Sequence, residues 1–230
     1  MSDREVINET DAILAEWDRT DSPGAILGVI QDAKLVHARG YGMANLEYGI
    51  PLAPDSVFHV ASISKHFTAL AALLLAQEGR LSLDDPIRHT LPELPAYADA
   101  IEIRHLIHHT SGLRDVYDLM MLGGRQMDDV ITRDDAMAAI LRQGGLNFPP
   151  GTQYLYCNTG YVLLAEIVAR VSGQPFATFT HERIFDPLGM SRTRVRDDYA
   201  MVVPHRVQGY RLDDTRYRIC DPRSDTVGTA

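Results

Sequence analysis

Lysine is almost missing from this chain of 230 residues: its 22 basic residues include only Lys34 and Lys65, which leaves twenty arginines. Arginine stays protonated, so a side-chain amine able to act in the neutral form has only these two positions to come from. Cysteine is as scarce. Cys157 and Cys220 are far apart and neither belongs to a CxxC pair, which excludes a disulfide scaffold and suits a reducing compartment. No stretch reaches about 18 consecutive apolar residues, so no transmembrane helix is expected. The N-terminus, Met1-Ser2-Asp3-Arg4-Glu5-Val6, is polar where a signal peptide needs a basic start and an apolar run. Positive charge is in deficit: 31 acidic against 22 basic residues give a formal net charge of −9. The arginines usually stand near acids, as in Arg133-Asp134-Asp135, so there is no basic stripe for nucleic acid. These absences lead us to expect a cytoplasmic protein with no nucleic-acid and no membrane partner.

What is there is ordinary globular composition, 45% hydrophobic and 23% charged with 17 Gly and 12 Pro, which excludes disorder and collagen-like repeats. A chain of this size buries roughly 70–75% of its extended surface, enough for one large core or two modest ones. Residues 4–19 carry Val6, Ile7, Ile13, Leu14 and Trp17 at loosely helical spacing, closed by Asp21-Ser22-Pro23-Gly24. Ala25–Ile30 and Leu35–Ala38 read as a hairpin around Gln31-Asp32-Ala33-Lys34, and Gly40, Gly42 and Gly49 punctuate an extended stretch ending near Val60. Lys65 to Glu78 is apolar nearly all round and is closed by Gly79, which predicts a helix buried in the middle of the protein. Short helices and Pro/Gly loops then alternate to residue 190, with helices over 101–109, 133–142, 160–172 and 175–184. Residues 193–219 return to β-type patterning. Strands, a helical block and strands again imply an α+β fold: an antiparallel sheet flanked by helices, with an α-helical insert. The corresponding regions are 1–61 with 191–230 for the sheet, and 62–190 for the helical part.

Ser62-Ile63-Ser64-Lys65 puts a hydroxyl and an amine three residues apart at the mouth of the buried helix. At that spacing both side chains lie on one face, one turn apart, and the amine can reach the serine oxygen. The positive field of a helix N-terminus favours the alkoxide character of a nucleophile. Ser-x-x-Lys alone is a weak signal, because a serine there serves equally well as a helix N-cap. Tyr156-Cys157-Asn158 adds to it. A tyrosine and an asparagine two apart, in a loop leading into a helix, can project into one cleft, the phenolate as proton acceptor and the amide as a clamp for lysine and substrate.

With these two motifs the sequence resembles the serine β-lactamase and penicillin-binding-protein superfamily, in its class C-like branch, which also holds DD-peptidases, D-aminopeptidases and esterases. The matching blocks are Phe58 to Thr68 (FHVASISKHFT), Gly79 to Pro86 (GRLSLDDP), Ile103 to Leu113 (IRHLIHHTSGL), Pro150-Gly151-Thr152, Tyr156 to Tyr161 (YCNTGY) and Phe185 to Met190 (FDPLGM), in the family's order. The resemblance implies a β-lactamase/transpeptidase-like fold and a serine hydrolase acting through an acyl-enzyme on an ester, amide or β-lactam bond. It implies Ser62 as nucleophile, Lys65 and Tyr156 as acid–base partners, and Asn158 as the residue that orients Lys65 and substrate. The order of proton transfer between Lys65 and Tyr156 stays open. The backbone N–H of Ser62 becomes one oxyanion donor. No cofactor is implied, and no metal.

The family's third motif, Lys/His-x-Gly on an inner strand, has no match: no lysine follows Lys65, and His181 and His205 are not followed by x-Gly. Thr226-Val227-Gly228-Thr229-Ala230 resembles the start of a block that precedes the inner strands. We therefore expect an incomplete sheet in a chain that stops mid-protein, with an open edge at the 25–38 hairpin able to pair with a second copy. The missing signal peptide tilts the substrate from cell-wall material towards a small ester or amide. A non-catalytic ligand- or partner-binding homologue, or an inactive fragment, is the competing reading.

Other candidates have plainer explanations. His105, His108 and His109 have metal-like spacing, but no HExxH pattern accompanies them and they read as a structural loop bordering the cleft. Ser111 lacks a Gly-x-Ser-x-Gly elbow. Asp84 and Asp85 read as a helix cap and surface charge, and Glu166–Arg170 as a surface pair. Cys157 reads as packing, with an oxidant-sensitive thiol at the cleft mouth as its functional alternative. Tyr41, Tyr48 and Tyr154 read as core or rim aromatics.

Overall fold

The computed structural model describes residues 3–126 and 129–221, and the block at 226–230 lies outside them. The described chain divides into two compact units, one running up to His59 and taking in Val202–Asp221, the other Val60–Met201.

The first unit opens with helix α1 (Asp3–Leu14), shorter than the expected 4–19 because the chain turns at residues 15–17. Strands β1 (Ala25–Gln31) and β2 (Lys34–Tyr41) form the expected hairpin, registered from Ala25 opposite Tyr41 to Gln31 opposite Lys34. Its two-residue turn places Asp32 and Ala33 at φ +49° and +59°, the backbone whose twist matches the flanking strands. Strands β3 (Met43–Asn45) and β4 (Ile50–Pro51) pair next, and β5 (Tyr210–Asp213) pairs with β6 (Arg216–Ile219). Among the described residues the strands form three two-stranded antiparallel sheets. The β-type patterning over 193–219 yields strands only from Tyr210 onward. Tyr41 is fully buried and donates a hydrogen bond from its hydroxyl to Asp11 at 2.7 Å, while Arg39 lies 4.6 Å over its ring and bridges Asp11 and Asp18. This cluster ties α1 to the hairpin. Tyr48, by contrast, is 80% exposed and belongs to no core.

The second unit is helical. A 3₁₀ turn (Ala61–Ser64) leads into α2 (Lys65–Gln77), which packs on α7 (Asn158–Ser172). Around them stand α3 (Ile87–Thr90), α4 (Ile103–Ile107), α5 (Val116–Leu122), α6 (Arg133–Leu141) and α8 (Phe176–Thr180), the last running into a π turn (His181–Phe185). α3 and α5 were not expected, since four and seven residues are too few to show a helical period. The expectation that α2 is buried all round is half right. Ala71, Ala72 and Leu75 are completely buried, but Leu70 and Leu73 stay 37% and 44% exposed, so one apolar face packs and the other is open. α7 is the true centre: Leu163, Leu164, Ala165, Ile167 and Val168 have no exposed surface, and Gly173 ends the helix at φ +75°, a left-handed cap that costs glycine nothing.

Two surface readings change. No helix begins at Asp84-Asp85. Asp85 instead accepts the Ser82 N–H at 2.7 Å across a turn, and Asp84 pairs with Arg104. Glu166 and Arg170 do pair, at 3.0 Å, but the Glu166 side chain is only 13% exposed and sits inside a Glu93–Arg170–Glu166–Arg133 network joining α7 to α6 and to the segment after α3. A partly buried network outweighs an isolated surface pair. Among the described residues no helix is long and apolar enough to cross a membrane.

Candidate active site

The 3₁₀ turn before α2 starts from a forced backbone: Ala61 sits at φ +46°, where a β-carbon crowds the following carbonyl at a cost of about 1–2 kcal/mol. The next residue, Ser62, is exposed. It does not act as an N-cap, because neither the 3₁₀ turn nor α2 has a side-chain cap. Its hydroxyl is engaged elsewhere. Lys65, the first residue of α2, is 6% exposed and donates from Nζ to Ser62 Oγ at 2.9 Å, as the three-residue spacing requires. The same Nζ donates to Asn158 Oδ1, also at 2.9 Å. Tyr156 completes the group by donating its hydroxyl to Ser62 Oγ at 2.6 Å across 94 residues of sequence. The ammonium lies 5.0 Å from the Tyr156 ring centre and 5.6 Å from that of Tyr161, within cation–π range. The four residues picked out from the sequence thus form one connected group: Lys65 and Tyr156 both meet Ser62 Oγ, and Asn158 meets Lys65.

The segment from His109 to Asp115 holds this arrangement from behind. The His109 carbonyl accepts the Leu155 N–H at 2.9 Å, and His109 Nδ1 accepts the Cys157 N–H at 3.1 Å. The Cys157 thiol donates to the Leu113 carbonyl, and the Thr159 hydroxyl donates to the Arg114 carbonyl at 2.7 Å. Asp115 caps α5 through Oδ1 and accepts the Asn158 N–H on Oδ2. Asn158 is the first residue of α7, so its peptide is capped from another segment while its side chain is left to meet Lys65. Gly112 lets the segment turn tightly: at φ +73°, any β-carbon there would lie 2.1 Å from the Phe148 carbonyl oxygen.

His109 also lies against the tyrosines, its ring centre 4.5 Å from that of Tyr156 and 5.1 Å from that of Tyr161. Burial first, and the nearby Lys65 charge second, lower its pKa below the usual histidine value. His105 serves locally: its Nδ1 accepts the Glu102 N–H in the capping box of α4. Ser111 is buried, with its oxygen turned to the Leu113 N–H. Cys157 is buried and its thiol pKa is pushed up by that burial, so the packing reading holds and the reading of a reactive thiol at the cleft mouth is corrected. Tyr154 is 68% exposed on the rim. Sequence reading missed Asp115 altogether. Its one signal was an acidic residue directly before the apolar Val116, which marks a cap but says nothing about Asn158.

The Beta-lactamase family profile matches residues 10–227, and the chain belongs to that family. It is 34% identical over 188 residues to penicillin-binding protein 4* of Bacillus subtilis (strain 168), covering 81% of this chain and 40% of that protein. It is 33% identical over 181 residues to a D-aminopeptidase of Gluconobacter oxydans (strain 621H), covering 79% of this chain and 34% of the relative. Among solved structures, an octameric penicillin-binding protein homologue from Pyrococcus abyssi superposes with a TM-score of 0.81 at 29% identity, covering 99% of this chain and 51% of the other. The chain thus spans about a third to two fifths of the length of these two curated relatives.

Proposed function

We propose that this chain carries the nucleophile half of a serine hydrolase that works through an acyl-enzyme on a small ester or amide. The observation that carries the reading is the pair of proton-bearing groups, Lys65 Nζ and Tyr156 hydroxyl, both bonded to Ser62 Oγ. A serine hydroxyl is a poor nucleophile until a neighbour takes its proton. In the proposed cycle one group of the pair, the Tyr156 phenolate or the neutral Lys65 amine, takes that proton as Ser62 Oγ bonds to the substrate's carbonyl carbon. The tetrahedral oxyanion faces the Ser62 backbone N–H, and its collapse breaks the bond to the leaving amine or alcohol, which takes the proton from Tyr156. A water then repeats the sequence on the acyl-serine. Asn158 holds Lys65 in register through Oδ1 and presents its amide N–H₂ to the substrate carbonyl. The relative named D-aminopeptidase supports an amide of a D-amino acid as one substrate, and the Beta-lactamase family match supports a β-lactam as another.

Intact mass after incubation with a p-nitrophenyl ester, a D-amino-acid p-nitroanilide or a penicillin tests this, with Ser62→Ala as the control. The expected result is a mass gain equal to the acyl group that Ser62→Ala abolishes. With Tyr156→Phe the gain should form more slowly by about 10²–10⁴-fold, the usual contribution of a positioned acid–base group. No Ser62-dependent gain with any of the three compounds, or an undiminished rate in Tyr156→Phe, overturns the reading for this chain.

A further inference from the structure

We infer that His109 is the positioning residue for Tyr156: its imidazole backs the phenol ring while its backbone and Nδ1 pin the peptides on either side. The inference rests on the proposed role of Tyr156 and adds a residue to it. Three independent contacts converge. The His109 carbonyl takes the N–H before Tyr156, at Leu155, and Nδ1 takes the N–H after it, at Cys157. In an extended segment those two N–H groups point to the same side, so one residue clamps both ends of the peptide unit that carries the phenol. The ring itself lies 4.5 Å from the phenol, centre to centre and tilted by 30°, a stacked contact that limits rotation about the Tyr156 side chain.

The backbone of His109 is also unusual. It sits at φ +57°, a conformation few non-glycine residues adopt, and Ala61, the residue before the nucleophile, is another of the few described positions that do. Strained backbone persists only where the surroundings dictate it, and here it turns the carbonyl and the ring of one residue towards the same segment, Leu155 to Cys157. Histidine suits the place for a chemical reason. Nδ1 can accept the Cys157 N–H only while unprotonated, so the residue that braces the phenol brings no second positive charge beside Lys65. The groups facing the ring are Lys65 from α2, Tyr154 and Tyr156 from the clamped segment, Tyr161 from α7 and Asp115 from the loop before α5. Tyr156 is 43% exposed even with His109 against its ring, so removing the imidazole takes away a wall of its site and leaves the hydroxyl other rotamers to occupy.

The test is a double-mutant cycle together with crystal structures. His109→Ala should lower kcat for the p-nitrophenyl ester roughly 10–100-fold with KM little changed, the range expected for a misplaced catalytic group. In a Tyr156→Phe background the same change should cost nothing further, because the group being positioned has already gone. His109→Asn, which tolerates the left-handed backbone and keeps an acceptor for the Cys157 N–H, should recover part of the rate. Crystal structures of His109→Ala and His109→Asn supply a readout independent of turnover: the phenol should leave Ser62 Oγ or split between rotamers in the first and do so less in the second. A further loss of rate in the Tyr156→Phe background overturns the inference, and so does a phenol that stays within hydrogen-bond distance of Ser62 Oγ in His109→Ala. If His109→Ala does not fold, His109→Gly, which tolerates the left-handed backbone and offers neither ring nor acceptor, takes its place in both arms. Full activity of Tyr156→Phe sinks the role proposed for Tyr156, and the crystal structures still decide whether His109 places it.

Discussion

One carboxylate serves two helices: Asp115 takes the N–H groups of Tyr117 and Asp118 on Oδ1 and the Asn158 N–H on Oδ2. The start of α5 and the start of α7 are both short of hydrogen-bond acceptors and both carry partial positive charge, so a single half-buried acid satisfies donors on each. Because Asn158 is the residue that reaches Lys65, this shared cap also sets where the amide oxygen stands.

Asp115→Ala should therefore destabilise more than an ordinary cap deletion. Losing the cap costs about 0.5–2 kcal/mol, and leaving the Asn158 N–H unpaired adds about 1–3 kcal/mol. In a chain of this size we expect Tm to fall by several degrees, at about 2–4 °C per kcal/mol. Asp115→Asn, which keeps one acceptor oxygen, should fall between the variant and the natural protein. A thermal melt of Asp115→Ala within about 1 °C of the unsubstituted chain contradicts the shared-cap account.

Stability should decline on mild acidification. Burial holds the pKa values of His105 and His109 below the ordinary histidine value, with Lys65 adding to the effect at His109. On acidification the unfolded chain thus takes up these protons first, from about pH 6.5 downward. The contribution is complete above that pH and is lost as pH falls through the depressed folded-state values. The arginine-paired Glu93 and the hydrogen-bonded Asp135, whose pKa values are lowered, act only at more acidic pH. Urea midpoints measured between about pH 7.5 and pH 5 should fall with pH, and His109→Asn should flatten part of that slope. A midpoint that is level or rises on acidification contradicts this assignment.

The two cysteines should behave differently towards a thiol reagent. Cys157 is buried, its thiol is bonded to the Leu113 carbonyl, and its pKa is raised by burial, whereas Cys220 is only half-buried. Ellman's reagent at neutral pH should titrate one thiol in the native protein and the second only after denaturation. Rapid reaction of both would mean that the 109–115 segment opens readily, and Cys157→Ser would then identify which thiol reports the opening.

How much of this was legible in the residues depends on how far apart the interacting groups are in the chain. Backbone geometry alone puts Lys65 one turn from Ser62, so their contact could be read from spacing. The β1–β2 hairpin was readable for a similar reason, since two β-rich runs separated by a short polar turn leave few other pairings. Only the tertiary structure decided the rest. Tyr156 meets Ser62 because α2 packs on α7, and no local rule joins residues 94 positions apart. Asp115, which sequence reading missed, caps α5 and also accepts the Asn158 N–H, while His109 read as part of a loop and lies against the phenol. Glu166 looked like a surface charge, until packing placed it within a network of arginines. The apolar run of α2 announced burial but not on which side, and Leu70 and Leu73 remain open. Periodicity says that a face is apolar, and only the partners brought to it by long-range packing decide whether that face is covered.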